Sequence, residues 1–343
     1  MGKLQQELKD GLYQPQPLRR VWIPKGNSKN KLRPLSIACI KDRVVQSAML
    51  LILQPIFEAD MLPEQYGFRR GIDAKMAVRE VYFQIARRGR TEVIDADLED
   101  YFTSIPHEPL MKCISRRIAD GRILRLIKRW LEVPIEEQRK KGVKQNFEAR
   151  KRHRGVAQGS CISPLMSNCY FRRFLLAWKS FGIESKVNAK VVNYADDYVI
   201  CCPPHKAEQA MRYMRVIMNS IGLTINEAKT KIVKLPQERF DFLGYTLGRF
   251  YTKDNTAYIG TRPSKKALKK IIMRIHQETS RDMTWSSVEE RIIRLNRVIR
   301  GWCNYFNQGP VLKSYNLVRR YTEKRLRRWL VRIPLKCKKS NLI

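Results

Sequence analysis

Residues 191–200 read Val191-Val192-Asn193-Tyr194-Ala195-Asp196-Asp197-Tyr198-Val199-Ile200. β-Branched and aromatic residues flank two adjacent aspartates, the composition of a β-hairpin with the acidic pair at its tip. Carboxylates gathered between apolar strands are costly without a cation. All-oxygen ligation suits Mg²⁺, and two such ions serve an in-line phosphoryl displacement. Asp-Asp also occurs in ordinary exposed turns, so the reading depends on what else the chain carries.

The 343 residues are enough for two or three domains. Lys and Arg number 68 against 32 Asp and Glu, and the net charge of +36 points to a polyanionic partner, nucleic acid ahead of a membrane surface. No apolar run of spanning length occurs, and Met1–Asp10 lacks the apolar core of a signal peptide. The eight cysteines form no Cys-x-x-Cys pair and read as reduced thiols. Four scattered histidines, at 107, 153, 205 and 276, exclude a zinc finger or a His/Asn nuclease module.

Basic strand and loop are expected over 19–43, then a helix over 42–59 with Val44, Val45, Ala48, Met49, Leu51 and Ile52 as its apolar positions. Further helices are expected at 73–88, 106–131 and 164–180, with a strand at Glu92–Leu98. Residues 136–154, with eight Lys/Arg against three Glu, read as a solvated loop. From Arg262 to Ile343 there are 22 Lys/Arg and five Asp/Glu, and Val288, Ile292, Leu295, Val298 and Ile299 recur at helical spacing. That pattern predicts a small helical domain with basic outer faces.

Four pieces then stand in one order: Asp97-Leu98-Glu99-Asp100-Tyr101-Phe102, Gln158-Gly159-Ser160-Cys161-Ile162-Ser163-Pro164, the Tyr-Ala-Asp-Asp hairpin, and Asn226-Glu227-Ala228-Lys229-Thr230-Lys231. Together with Tyr13–Lys25, Leu32–Leu35, Gln65-Tyr66-Gly67-Phe68-Arg69, Phe242-Leu243-Gly244-Tyr245 and Ile299–Phe306, they make the chain resemble reverse transcriptases, most closely those of group II introns. The resemblance implies an α+β right-hand polymerase. Its fingers would take residues 1–90, its palm 91–260 with interleaved fingers elements, and an α-helical thumb or maturase domain 261–343. It implies an RNA-directed DNA polymerase that uses an RNA template, such as group II intron RNA, with a DNA or RNA primer and dNTPs. Two Mg²⁺ ions would serve it, with Mn²⁺ as a substitute.

Nucleotidyl transfer needs a 3′-oxygen to attack an α-phosphate between two cations. Asp97 and Asp196 are the candidates to bridge both ions, with Asp197 in support, and the resemblance implies the same three. Asp95 faces the same side of its strand and competes with Asp97. The family places its aromatic five residues after the metal-binding Asp, which favours Asp97 and makes Phe102 the bulky gate beneath the sugar, selecting dNTPs. A core phenylalanine beside Tyr101 is the plainer reading. Lys25 and Arg33 resemble the residues that hold the triphosphate, with Arg19, Arg20 and Arg69 as alternatives. Gln158 and Gly159 shape the floor under the templating pair, the glycine permitting close approach. Lys229 is a candidate general acid for pyrophosphate, or a plain solvated lysine. By the same resemblance Tyr194, Leu243, Gly244, Arg300 and Trp302 contact nucleic acid.

Ala157 stands where many relatives carry Pro before the Gln-Gly turn. Few residues precede the first fingers block, which puts template switching and intron binding in question, and no DNA-binding or endonuclease domain is expected after the thumb. Two alternatives accompany the polymerase: a maturase that stabilises folded intron RNA, and a defence-associated reverse transcriptase. The expected setting is the bacterial cytoplasm, in a ribonucleoprotein or on the nucleoid.

Overall fold

The computed structural model describes residues 2–24, 32–139 and 142–331, divided between two compact units, Met1–Ala77 with Glu92–Ile232 and Val78–Thr91 with Val233–Ile343. Along the first unit run β1 (Leu18–Pro24), β2 (Leu32–Ile37), β3 (Glu92–Asp97), β4 (Ile135–Arg139), β5 (Gly142–Asn146), β6 (Lys190–Tyr194) and β7 (Asp197–Cys202), with β8 (Lys231–Lys234) at its end. They form two sheets, ordered β2-β1-β4-β5 and β6-β7-β3-β8.

The acidic hairpin forms as its composition predicts, β6 against β7 in antiparallel register with Tyr194 opposite Asp197. β7 is buried along its length after Asp197, because helices cover the sheet. Helix Ser163–Ser180 begins with Pro164 in its first turn and buries Phe171, Phe174, Leu175 and Trp178. Helix Ala207–Ser220 buries Met211, Met214, Ile217 and Met218. Tyr198 on β7 meets both helices, with its ring 5.3 Å from Phe171 and its hydroxyl 3.4 Å from Met214 Sδ.

Three expectations are corrected. Residues 136–154 are not simply a loop: they hold β4, β5 and the short helix Glu148–Arg152. β4 runs parallel to β1, so a Glu- and Lys-rich stretch joins a sheet through its backbone. The helix expected over 106–131 is two, His107–Ser115 and Gly121–Glu132, the second capped by Asp120 accepting from Arg122 N and Ile123 N. Helix Ile40–Glu58 buries Val45, Leu53 and Phe57 but leaves Val44, Leu51 and Ile52 exposed. It is apolar on several faces, so spacing alone does not identify the inner one.

The second unit carries β9 (Arg239–Phe242), β10 (Tyr245–Tyr251) and β11 (Ala257–Pro263), in the order β11-β10-β9. Helices Lys265–Glu278, Val288–Tyr305 and Leu312–Leu330 follow. Ser264 and Ser287 cap the first two by accepting from Ala267 N and Glu290 N. The helices close on Ile271, Ile275, Leu295 and Val318. Here too the sequence expectation shifts by one residue, since Ile292 is exposed and Arg291 is fully buried. Arg291 donates to Glu278 at 2.8 Å and to Ser286 Oγ at 2.7 Å and 3.1 Å. With its charge paired and its donors engaged, the guanidinium can occupy an interior position. Among the described residues no helix is long and apolar enough to cross a membrane.

Removing one partner of a buried pair leaves the other charge stranded, so Glu278→Ala is expected to lower unfolding free energy by about 3–5 kcal/mol. The exposed Arg294–Glu290 pair supplies the contrast, with Glu290→Ala costing about 0.5 kcal/mol or less. Urea denaturation of the intact chain measures both, and equal losses would contradict the role given to Arg291.

Candidate active site

The acidic tip is held from beneath by the segment that precedes Phe68. Tyr66 N donates to Asn193 O at 2.8 Å, and Asn193 N donates to Glu64 O at 2.8 Å. Gln65 Nε2 donates to Asn168 O at 3.0 Å, while Asn168 Nδ2 donates to Gly67 O at 2.7 Å. Asn193 Nδ2 closes the turn on Ala195 O at 2.8 Å, and Ala195 itself lies at φ +60°. Gly67 has no room for a side chain, since a Cβ there would stand 2.3 Å from Ala195 N. The tip is therefore a rigid shelf held by three buried amide side chains and one obligatory glycine.

On that shelf Asp197 stands opposite Asp97 of β3 across the antiparallel pair. Asp97 is fixed from its other side. Its N–H donates to Thr230 Oγ1 at 3.2 Å, its carbonyl accepts from Asn226 N at 2.8 Å, and Lys229 Nζ lies 2.5 Å from its Oδ2. Asp95 faces Val199 one step deeper in the sheet.

Asp197 has its pKa pushed up to about 6, first by burial of the carboxyl, then by repulsion from Asp196, Asp97 and Asp95, with Arg33 pulling the other way. The residue as a whole is exposed at the start of β7.

A cleft of about 600 Å³ opens here, lined by Arg33, Asp97, Phe102, Gln158, Asp196 and Lys229. Of the residues singled out from sequence, these six come together. Gly159 lies at φ +108°, and a Cβ would meet Leu35 Cδ1 at 2.8 Å and Ser36 O at 2.9 Å, so the close approach it permits is to β2. Ser36 N donates to Gln158 O at 2.7 Å. Gln46, buried on its helix, accepts from Ser160 Oγ at 2.8 Å and Cys161 N at 3.1 Å and steadies the same turn. Tyr194 is half-buried at the foot of the acidic pair. Two alternatives for phosphate binding are otherwise engaged, Arg20 with Glu137 at 2.8 Å and Arg69 with Glu58 at 2.5 Å. Lys25 lies outside the described residues.

Leu243, Gly244 and Trp302 gather in the second unit instead. Leu243 at φ +48° and Gly244 at φ +82° form the two-residue turn joining β9 to β10. Tyr305 Oη donates to Leu243 O at 2.8 Å, Ser264 N donates to Gly244 O at 2.8 Å, and a Gly244 Cβ would touch Phe306. Trp302 lies against Phe306 with ring centroids 5.0 Å apart and planes tilted by 40°, whereas Arg300 is exposed.

Sequence reasoning gave no role to Gln46, Gln65, Gly67, Asn168 or Asn193. Gly67 and Gln65 stood inside a recognised string, but the contacts that need them are tertiary. Among the described residues no three His, Cys, Asp or Glu side chains already stand in metal-holding geometry, and Asp97 is engaged by Lys229. The donor chemistry still fits a hard divalent cation, since every candidate ligand is a carboxylate.

Residues 23–247 match the family described as reverse transcriptase (RNA-dependent DNA polymerase), and residues 268–339 match the group II intron, maturase-specific domain. Protein YkfC of Escherichia coli is 34% identical over 298 residues, covering 77% of this chain and 75% of that protein. The group II intron-encoded protein LtrA of Lactococcus lactis is 34% identical over 187 residues, 53% of this chain and 29% of LtrA. Among solved structures, telomerase from Candida albicans aligns with a TM-score of 0.53 at 12% identity, covering 94% of this chain and 60% of that one. Apo telomerase from Candida tropicalis gives 0.53 at 12% identity, over 92% and 64%. These establish the right-hand polymerase fold followed by a helical domain. Nucleotidyl transfer in this family generally runs on divalent metals.

The folded chain holds the Asp197 proton up to pH about 6, while the unfolded chain releases it near 3.8. Stability from this group is thus fully present below 3.8 and lost as pH rises through about 6. Asp197→Asn is expected to raise the metal-free melting temperature at pH 8, with the gain vanishing below pH 4. Thermal melts across pH check this, and a gain independent of pH would contradict it.

Proposed function

The chain belongs to the reverse transcriptases and carries the maturase-specific domain of group II introns, and from that premise we propose that it extends a DNA or RNA primer along an RNA template by adding dNTPs. The convergence of Arg33, Asp97, Phe102, Gln158, Asp196 and Lys229 on one cleft carries the reading. Fingers, palm and thumb are assigned to residues 1–90, 91–260 and 261–343.

Asp97 and Asp196 are assigned to hold two Mg²⁺ ions, for which Mn²⁺ can substitute, with Asp197 in support. When bound, the ions neutralise phosphate charge and stabilise the attacking and leaving oxygens. Arg33, which lines the cleft, is assigned to grip the triphosphate, with Lys25 as its partner. Phe102 lies under the sugar and excludes a 2′-hydroxyl. Gln158 and Gly159 form the floor beneath the templating pair. Lys229 is paired with Asp97 at 2.5 Å; released from it as the site fills, it can give a proton to the departing pyrophosphate. Tyr194, Leu243, Gly244, Arg300 and Trp302 are assigned to the primer and template strands.

The RNA is assigned as group II intron RNA, in a bacterial cytoplasmic ribonucleoprotein. A second reading has its own observation. The maturase-specific match falls on the part of the chain with 22 Lys/Arg against five Asp/Glu, a charge suited to binding folded RNA through its backbone. In that reading the protein also acts as a splicing cofactor.

Primer extension on an RNA template with dNTPs and Mg²⁺ tests the proposal. Asp196→Asn should lose on the order of 10³-fold in rate. Lys229→Met should lower kcat by about 10²-fold, with primer–template affinity unchanged. Equal extension by wild type and Asp196→Asn would contradict the site. Tight RNA binding with no extension by wild type would favour the splicing reading.

A further inference from the structure

Phe68 stands at φ +57°, a left-handed backbone that a bulky residue adopts only under constraint. The constraint lies on both sides of it. Gly67 abuts Ala195 and its carbonyl accepts from Asn168 Nδ2. Arg69 donates to Glu58 Oε1 at 2.8 Å and 2.5 Å, and to the carbonyls of Leu62 at 3.1 Å and Gln65 at 2.7 Å. With both neighbours pinned, the backbone of Phe68 has no route to relax.

The strain sets a ring. Phe68 meets Phe102 edge-on, with centroids 6.4 Å apart and planes at 74°. Tyr101 meets Phe102 as well, at 5.7 Å and 64°, and is itself anchored by its buried hydroxyl donating to Ser167 O at 2.6 Å. Phe102 is thus flanked by one aromatic fixed by a hydrogen bond and one fixed by strained backbone. Phe68 does not line the cleft that holds Asp97 and Asp196. It lines a separate pocket of about 230 Å³, with Leu50, Gln54, Cys161, Pro164 and Leu165. Phe68 is 47% exposed, so the held backbone and the edge contact with Phe102 are what keep its ring from turning further into that pocket.

We propose that Phe68 is a positioning residue that determines sugar specificity through Phe102, its strained backbone holding the gate ring against the place of a 2′-hydroxyl. The inference rests on the reading of Phe102 as the gate. A gate that rejects one oxygen must be held closely, because a displacement of about 1 Å changes reactivity substantially.

The test is single-nucleotide extension with dNTP and the matching rNTP, comparing kcat/KM for each. Phe68→Asn keeps a residue type that tolerates left-handed backbone while removing the ring, which guards against a mere folding failure. Its preference for dNTP over rNTP is expected to fall roughly 3- to 10-fold, the range that loss of one aromatic pair supports. The fall should come from improved rNTP use, with kcat/KM for dNTP and the melting temperature close to wild type. Phe68→Tyr retains the ring and should restore the preference. Unchanged preference in Phe68→Asn alongside a lost preference in Phe102→Ala would overturn the role of Phe68 and leave the gate standing. Unchanged preference in Phe102→Ala would remove the gate reading itself, and this inference with it.

Discussion

Like charges meeting across one antiparallel strand pair are the constraint on which the first unit depends. Asp97 on β3 stands opposite Asp197 on β7, with Asp196 beside it and Asp95 two residues behind. Left alone, such an arrangement drives strands apart or protonates a carboxyl. The surrounding structure holds it together instead. Gly67 admits the tip, Gln65, Asn168 and Asn193 tie it down, and Lys229 and Arg33 supply positive charge. A divalent cation bound there would relieve the remaining repulsion, and the chemistry proposed for the cleft builds on that.

The second unit solves a different problem with similar means. The turn at Leu243–Gly244 has both of its carbonyls claimed, one by the Tyr305 hydroxyl and one by Ser264 N–H. The end of helix Val288–Tyr305 is thus fixed to a sheet, while Arg291 and Glu278 fix the other end of the same helix in the helical core. Basic residues are left for the outer faces, Arg300 among them.

Much of this is legible in the chain, for identifiable reasons. The acidic hairpin announces itself because β-branched and aromatic residues on both sides favour strands, and the ordered strings around it single out Arg33, Phe102, Gln158 and Lys229. What escapes reading depends on tertiary partners. The amides of Gln65, Asn168 and Asn193 come from three distant segments and look like any polar residues. β4 and β5 carry surface-type composition, and their strand character comes from pairing with β1 and with each other. Leu51 and Ile52 match a core pattern yet face outward, and Arg291 rather than Ile292 takes the interior place because Glu278 and Ser286 await it. The choice of Asp97 over Asp95 rested on motif spacing, and the cleft lining includes Asp97.

We propose that Asp97, Asp196 and Asp197 form a cation site whose like charges repel one another until it is filled. This is tested most directly by titrating Asp197 through the NMR signal of its side-chain carboxyl carbon, with and without saturating Mg²⁺. The expected midpoint is near 6 in the metal-free protein, well above the ordinary 3.8, with a fall of more than about one unit once Mg²⁺ binds. A midpoint near 3.8 in both samples would contradict it.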